Sequence, residues 1–274
     1  MHLTQEQRER YERDGFVVFP GLFSPPEVAA MKGELARIQG IDTDHLVRER
    51  SGGVAKTIFR VHEADGPTAS PVFHAAARTP RLLQPARQVL RDRELYIHHS
   101  KCNLKTAIDG SVWQWHQDYG SWQRDGVPAP DLTTALVMLD EPTEMSGCLY
   151  FIPGSHKVGN LEPELDDRTT SYRLWVVPKA DLLSIMERSP EPAPVTGPPG
   201  TVVFFHCNIL HASGHNLSRH DRWAVYFVYN RVANRPIAVP NPRPDYVRST
   251  NWAPLPLGAD DVLAPARAQP IAAE

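Results

Sequence analysis

From residue 94 onward the chain breaks into short strand-like runs separated by turns, and this texture limits the folds open to it. Runs near 95–99, 112–117, 132–139, 148–152, 172–177, 201–205, 208–212 and 223–231 read as strands. Strands at such short intervals form a sandwich or a barrel, in which each sheet buries one face. Helical signals come first. Thr4 can cap a helix over 4–14, with Gln7 completing the cap and Asp14-Gly15 ending it. Phe16-Val17-Val18-Phe19 reads as a buried strand stopped by Pro20-Gly21. Ser24-Pro25-Pro26-Glu27 opens a second helix to about Ile38, with Val28, Met31 and Leu35 on one face. Residues 40–70 read as irregular, and 79–91 as a helix carrying Leu82, Leu83, Val89 and Leu90. The expected fold class is α+β, mainly β: a double-stranded β-helix (jelly roll, cupin-like) core with N-terminal helices packed outside. One domain is expected over 1–240. A proline-rich tail over 241–274 is expected to wrap the surface or to be partly disordered.

Bulk properties narrow the function classes. Hydrophobic residues make up 41% of the 274, enough for a sizeable core. The formal net charge is −3 and basic residues form no run, so neither nucleic acid nor an anionic membrane is expected as partner. Apolar runs such as Thr201-Val202-Val203-Phe204-Phe205 fall far below the roughly 20 residues of a membrane helix. Met1-His2-Leu3-Thr4-Gln5-Glu6 is polar, without a signal-type apolar stretch. Cys102, Cys148 and Cys207 lack metal-type spacing and read as buried thiols. A cytoplasmic protein is expected, monomer or homodimer, acting on a small-molecule substrate.

The chemistry concentrates around Trp115-His116-Gln117-Asp118-Tyr119. On a strand, residues two apart share a face, so His116 and Asp118 would project together. An imidazole and a carboxylate are two of the three ligands of a facial triad, which leaves adjacent positions open on iron(II). A lone His-x-Asp also arises by chance. The third ligand is best sought at His211, in Asn208-Ile209-Leu210-His211-Ala212-Ser213. Arg222 opens the next strand and can hold a carboxylate bidentately, with Ser213 adding a hydrogen bond. Metal and clamp together suit a keto-diacid. Arg219 and Arg231 fit the clamp spacing less well. His98, His99 and His206 read as structural or surface residues, His156 as part of a turn, and Lys105 as either a surface lysine or a pocket charge. A zinc hydrolase with the same ligands and a jelly roll that binds metal without turnover remain alternatives.

The sequence also resembles the phytanoyl-CoA dioxygenase family, in particular its bacterial branch of ectoine hydroxylases and amino-acid and natural-product hydroxylases. The resembling stretches are Asp14-Gly15-Phe16-Val17-Val18, Ser100-Lys101-Cys102-Asn103-Leu104-Lys105, Trp113 to Trp122, Asp125-Gly126-Val127-Pro128, Gly147-Cys148-Leu149, Pro153-Gly154-Ser155-His156, and His211 to Arg222. They cover most of 4–235 in order. The resemblance implies iron(II) on His116, Asp118 and His211, with 2-oxoglutarate as cosubstrate, O2 as oxidant and ascorbate as the reductant in vitro. It places Arg222 and Ser213 on the distal carboxylate of 2-oxoglutarate, with Asn103 and Trp113 lining that pocket. Trp122, Phe205 and Tyr226 fall where ectoine-type enzymes bind substrate. Lys101 stands where those enzymes carry arginine, Tyr119 where they carry phenylalanine or its neighbour, and Ala135 replaces a hydroxyl residue. These departures point away from ectoine. Lys101, Tyr119, Trp122 and Tyr226 suggest a compact charged pocket with aromatic walls. The expected reaction is hydroxylation of a free or cyclic amino acid or derivative, releasing succinate and CO2. The alternative is hydroxylation, desaturation or cyclisation of a larger natural-product intermediate.

Overall fold

The computed structural model describes residues 1–50, 53–169 and 173–263. Local hydrogen bonding starts the first helices where the sequence places them. In α1 (Gln5–Asp14) the Thr4 hydroxyl accepts from Gln7 N at 3.2 Å, and the Gln7 side chain accepts from Thr4 N at 2.9 Å. Gly15 ends α1 at φ 84°, and a Cβ there would lie 2.5 Å from His156 Nδ1. β1 (Phe16–Phe19) and α2 (Pro25–Ile38) follow as expected. The 40–70 region is not wholly irregular, because β2 (Leu46–Arg48) and β3 (Ala55–Phe59) pair within it. Every residue of β3 is buried, so it carries no polar–apolar alternation to read.

The rest of the chain is α3 (Pro71–Ala76), α4 (Pro80–Leu90), β4 (Leu95–Lys105), β5 (Trp113–His116), α5 (Asp118–Arg124), β6 (Leu132–Met138), β7 (Leu149–Phe151), β8 (Glu164–Asp166), β9 (Leu174–Val176), α6 (Lys179–Met186), β10 (Ala193–Val195), β11 (Val202–His206), β12 (His211–Ser213) and β13 (Arg222–Arg231). The first residue of the run expected at 172–177 lies outside the described residues, as does the tail after 263. The expected strand at 208–212 forms later, at His211–Ser213.

Two antiparallel sheets face each other, in the orders β1-β11-β6-β13-β4-β3-β2 and β10-β7-β12-β5, and β8 pairs with β9 apart from them. Side-chain alternation then divides the interior. One face of the large sheet packs Val137, Phe204, Val225 and Phe227 against Met31 and Leu35 of α2 and Leu82 and Leu83 of α4. Fully burying each phenylalanine contributes about 2–3 kcal/mol. The other face packs Leu136, Val203, Phe205 and Tyr226 against Leu149 and Phe151 of the small sheet. This is the jelly roll with helices outside. Ala135 belongs to the helix-side layer, so its exchange for a hydroxyl residue does not bear on the space between the sheets. All three cysteines are buried and free, and no helix among the described residues is long and apolar enough to cross a membrane.

The tail packs on the body of the protein as far as it is described. Arg243 donates to the fully buried Asp125 through Nη2 at 2.6 Å and Nε at 3.0 Å. Ser249 N donates to His98 O at 2.8 Å, and Arg81 Nε reaches Asp260 at 3.0 Å. Asp125→Ala would remove the carboxylate to which the Arg243 guanidinium donates. Chemical denaturation is expected to show a loss of about 3 kcal/mol, since removing one partner of a buried pair leaves the other uncompensated. Hydrogen exchange should accelerate over 243–249; unchanged protection there would show that the pair does not hold the tail.

Candidate active site

Pairing of β12 with β5 sets His211 opposite His116, with ring centroids 4.1 Å apart. Asp118 reaches them by a route the sequence reading did not foresee. β5 ends at His116 and α5 begins at Asp118, so the carboxylate sits on the first helical turn rather than along a strand. Gln117 fixes this junction: its amide donates to Gly159 O and Asn208 O at 2.8 Å, and its carbonyl accepts from Leu161 N at 2.9 Å.

His116 Nε2 lies 3.7 Å from one Asp118 oxygen and His211 Nε2 lies 3.9 Å from the other. The three ligand atoms all fall within 4.8 Å of one another. Each imidazole is oriented from behind, His116 Nδ1 donating to Gln114 O at 2.7 Å and His211 Nδ1 to Ile209 O at 3.0 Å. A carbonyl only accepts, so Nδ1 carries a proton and Nε2 is the atom turned to the carboxylate. Burial pushes His211 down to about 3, with His116 adding to the effect, which keeps the ring neutral. Burial alone would raise the Asp118 carboxyl. His211, His116 and Lys101 outweigh it and hold the group below the usual carboxylate range. Two imidazoles and a carboxylate form the donor set a divalent iron requires.

A second cluster lies along the same interior face. β4 extends to Lys105, so His99, Lys101, Asn103 and Lys105 alternate onto the side facing the small sheet. Arg222 is the cross-strand partner of Lys105. Both are buried, and like charges directly opposite are destabilising. Arg222 Nε has no hydrogen-bond partner, and no carboxylate of the described residues pairs with the guanidinium. Lys105 Nζ donates to Ser213 Oγ at 2.9 Å and also to Gly214 O. Burial, then the charge of Arg222, lowers the Lys105 ammonium well below the ordinary lysine range. Tyr226 hydrogen-bonds Asn103 and Arg222, which brings its hydroxyl to this cationic end.

Lys101 Nζ sits 5.1 Å from the Trp113 ring centroid and 5.2 Å from that of Tyr226. Phe205 stands 5.5 Å from His211, ring to ring, and Trp122 lies 6.5 Å from His99. Tyr119 offers a ligand no donor, since its hydroxyl already donates to Val127 O at 3.0 Å. Arg231 is held by Leu90 O and Asp131, and Arg219 is exposed beside His220, both away from this cluster. A cleft of about 670 Å3 between α1 and α4 takes in His156 and His206, also apart from it. Sequence reasoning left Lys105 undecided and set His99 aside; the length of β4 was the missing signal for Lys105, and the register shift opposite His99 for the other. His99 Nδ1 donates to Val247 O of the tail, and burial keeps the ring neutral.

A jelly roll with two imidazoles and a carboxylate converging between its sheets, beside a buried anion clamp, defines the class of mononuclear iron dioxygenases that use a keto-diacid. The family model of phytanoyl-CoA dioxygenase matches residues 11–224, and the chain belongs to that family; it is a 2-oxoglutarate-dependent dioxygenase. It is 33% identical over 258 residues to the ectoine dioxygenase of Bordetella parapertussis, covering 89% of this chain and 82% of that one. It is 32% identical over 266 residues to the L-proline trans-4-hydroxylase of Streptomyces griseoviridis, covering 93% and 96%. The crystal structure of EctD from S. alaskensis with 2-oxoglutarate and 5-hydroxyectoine superposes with a TM-score of 0.80 at 31% identity, over 94% of this chain and 88% of that one. A structure of the same protein holds bound Fe.

Proposed function

We propose that this chain hydroxylates an unactivated C–H bond of a small zwitterionic amino acid or cyclic derivative, with iron(II) on His116, Asp118 and His211. The observation that carries the cosubstrate reading is the buried, uncompensated Arg222 opposite Lys105. The distal carboxylate of 2-oxoglutarate would be held by Arg222, Lys105 and Ser213, with Asn103, Trp113 and the Tyr226 hydroxyl around it. Iron in this position supplies O2 activation coupled to decarboxylation of 2-oxoglutarate, so that succinate and CO2 leave and one oxygen atom enters the substrate. The chain's own groups bind, orient and exclude water. Gln114 O and Ile209 O fix the ligand imidazoles, and Phe151 and Phe205 pack beside His211 and keep that side dry.

Substrate would lie toward Lys101, His99 and Trp122. Lys101 is half-buried, flanked by two aromatic rings, and suits a carboxylate. His99, with its proton committed to Val247 O, offers Nε2 as an acceptor for an amine N–H. Ectoine and L-proline, named for the relatives, are both small zwitterions. Lys101 in place of arginine favours a free amino acid over ectoine.

The test is succinate release with iron(II), ascorbate, 2-oxoglutarate and O2 across L-proline, other cyclic and basic amino acids, and ectoine. A product one oxygen atom heavier, formed from one amino acid in step with succinate, is expected. Substrate-independent succinate alone across the panel would remove the amino-acid reading. Lys101→Met should raise the KM for the amino acid roughly 10- to 150-fold, the range for a hydrogen bond to a charged group, and weaken 2-oxoglutarate far less. Equal loss for both ligands would take Lys101 out of substrate binding.

A further inference from the structure

A second buried ion pair lies against the site and has no part in the mechanism above. Lys56 of β3 and Glu49 approach to 3.4 Å, their side chains only 4% and 5% exposed. Ser111, in the segment leading into β5, ties the pair down: its N and Oγ donate to Glu49 Oε1 at 3.2 and 2.8 Å, and Lys56 Nζ bonds its hydroxyl. Replacing a buried ion pair with apolar groups is often neutral or stabilising, so such a pair is weak ground for stability alone. Its position suggests another use. Lys56 Nζ lies 5.1 Å from the centroid of the Trp113 ring, the same distance as Lys101 Nζ. One indole therefore carries two ammonium groups, one buried and one half-buried. Its backbone is the cross-strand partner of Ser213, and its ring also packs on Leu174 and Val176 of β9. Trp113 thus stands between the end that holds Ser213 and Lys105 and the end that holds Lys101.

We propose that Lys56 is a positioning residue of the cosubstrate pocket, which acts through the Trp113 ring and is itself set by Glu49 and Ser111. This rests on the reading of Arg222, Lys105 and Ser213 as the 2-oxoglutarate clamp. A cation held over an indole face fixes ring orientation without touching the ligand, and Glu49 keeps that cation from drifting to the carboxylate. With Lys56 gone, the ring loses one of the two cations set against it and the wall beside Ser213 loosens.

The experiment is calorimetric titration of 2-oxoglutarate into zinc-loaded protein, which reads binding without turnover. Removing the pair together, Glu49→Gln with Lys56→Met, avoids stranding a buried carboxylate and is expected to weaken 2-oxoglutarate about tenfold. In a Trp113→Leu background the same double change should alter affinity less than twofold, because the route through the ring is already cut. Lys56→Arg, which keeps a cation over the ring, should stay within about twofold of the unaltered protein and also covers the case in which the double variant fails to fold. The inference is overturned by unchanged affinity in the double variant, by an equal tenfold loss with and without Trp113, or by a Lys56→Arg protein as weak as one lacking the cation. Absence of 2-oxoglutarate binding to the unaltered protein would instead sink the clamp reading.

Discussion

Asp118→Ala and His211→Ala are each expected to remove stoichiometric iron binding and to lower turnover by well over about 100-fold. Loss of a group that merely orients a metal ligand already costs about 10- to 100-fold, and these side chains donate directly. Asp118 supplies the only negative charge in the triad, and both Nε2 atoms face it. Without it a divalent ion meets two imidazole rings, with the Lys101 ammonium close enough to influence the site. His211→Ala removes the donor that the small sheet brings in from β12, and α5 cannot substitute for it. Anaerobic iron titration with metal analysis of the desalted protein checks the first part, and succinate release the second. Iron retained with affinity within a factor of two in either variant would move the metal elsewhere.

Arg222→Met is expected to separate stability from function. The guanidinium is buried opposite Lys105 with no carboxylate of the described residues to neutralise it. The unliganded protein bears that repulsion, and a 2-oxoglutarate carboxylate held there would relieve it. Losing one side of a buried charged contact costs about 2–5 kcal/mol, so the KM for 2-oxoglutarate should rise roughly 30-fold or more. The unliganded melting temperature should hold or rise, because Lys105 loses an opposing cation. The thermal shift on adding 2-oxoglutarate should disappear. A variant that melts lower but responds to 2-oxoglutarate as before would make Arg222 a structural residue.

Local chemistry explains what was legible. The Thr4 and Ser24 caps are bonds between residues three apart, so their sequence is their structure. The His-x-Asp pair was visible for a similar reason, although a helix start rather than strand alternation joins its members. Arg222 was expected in the cavity if its strand ran back beside the one bearing His211; that strand instead lies in the opposite sheet, between β6 and β4. The facing of Lys105 could not be read, since it depends on β4 running to residue 105 instead of stopping at 99; His99 lay inside the expected strand, and the register shift opposite it, between Val228 and Tyr229, sets its face. Glu49 and Lys56 were hidden in a stretch read as irregular, where burial on both faces erases periodicity. The expected role of Ala135 failed for the opposite reason: its face is fixed by the register of β6 against β11 and β13, which no local pattern encodes.

By itself, then, the sequence determined which donor types this protein owns, where its first helices begin, and that the remainder suits a sandwich or a barrel. The tertiary structure alone decided which donors meet. Convergence of His116, Asp118 and His211, and burial of Arg222 against Lys105, follow from strand register and strand length. Those are settled by packing between segments a hundred residues apart. A one-residue slip in register would turn each of these side chains to the opposite face, so no reading of neighbours along the chain could fix them.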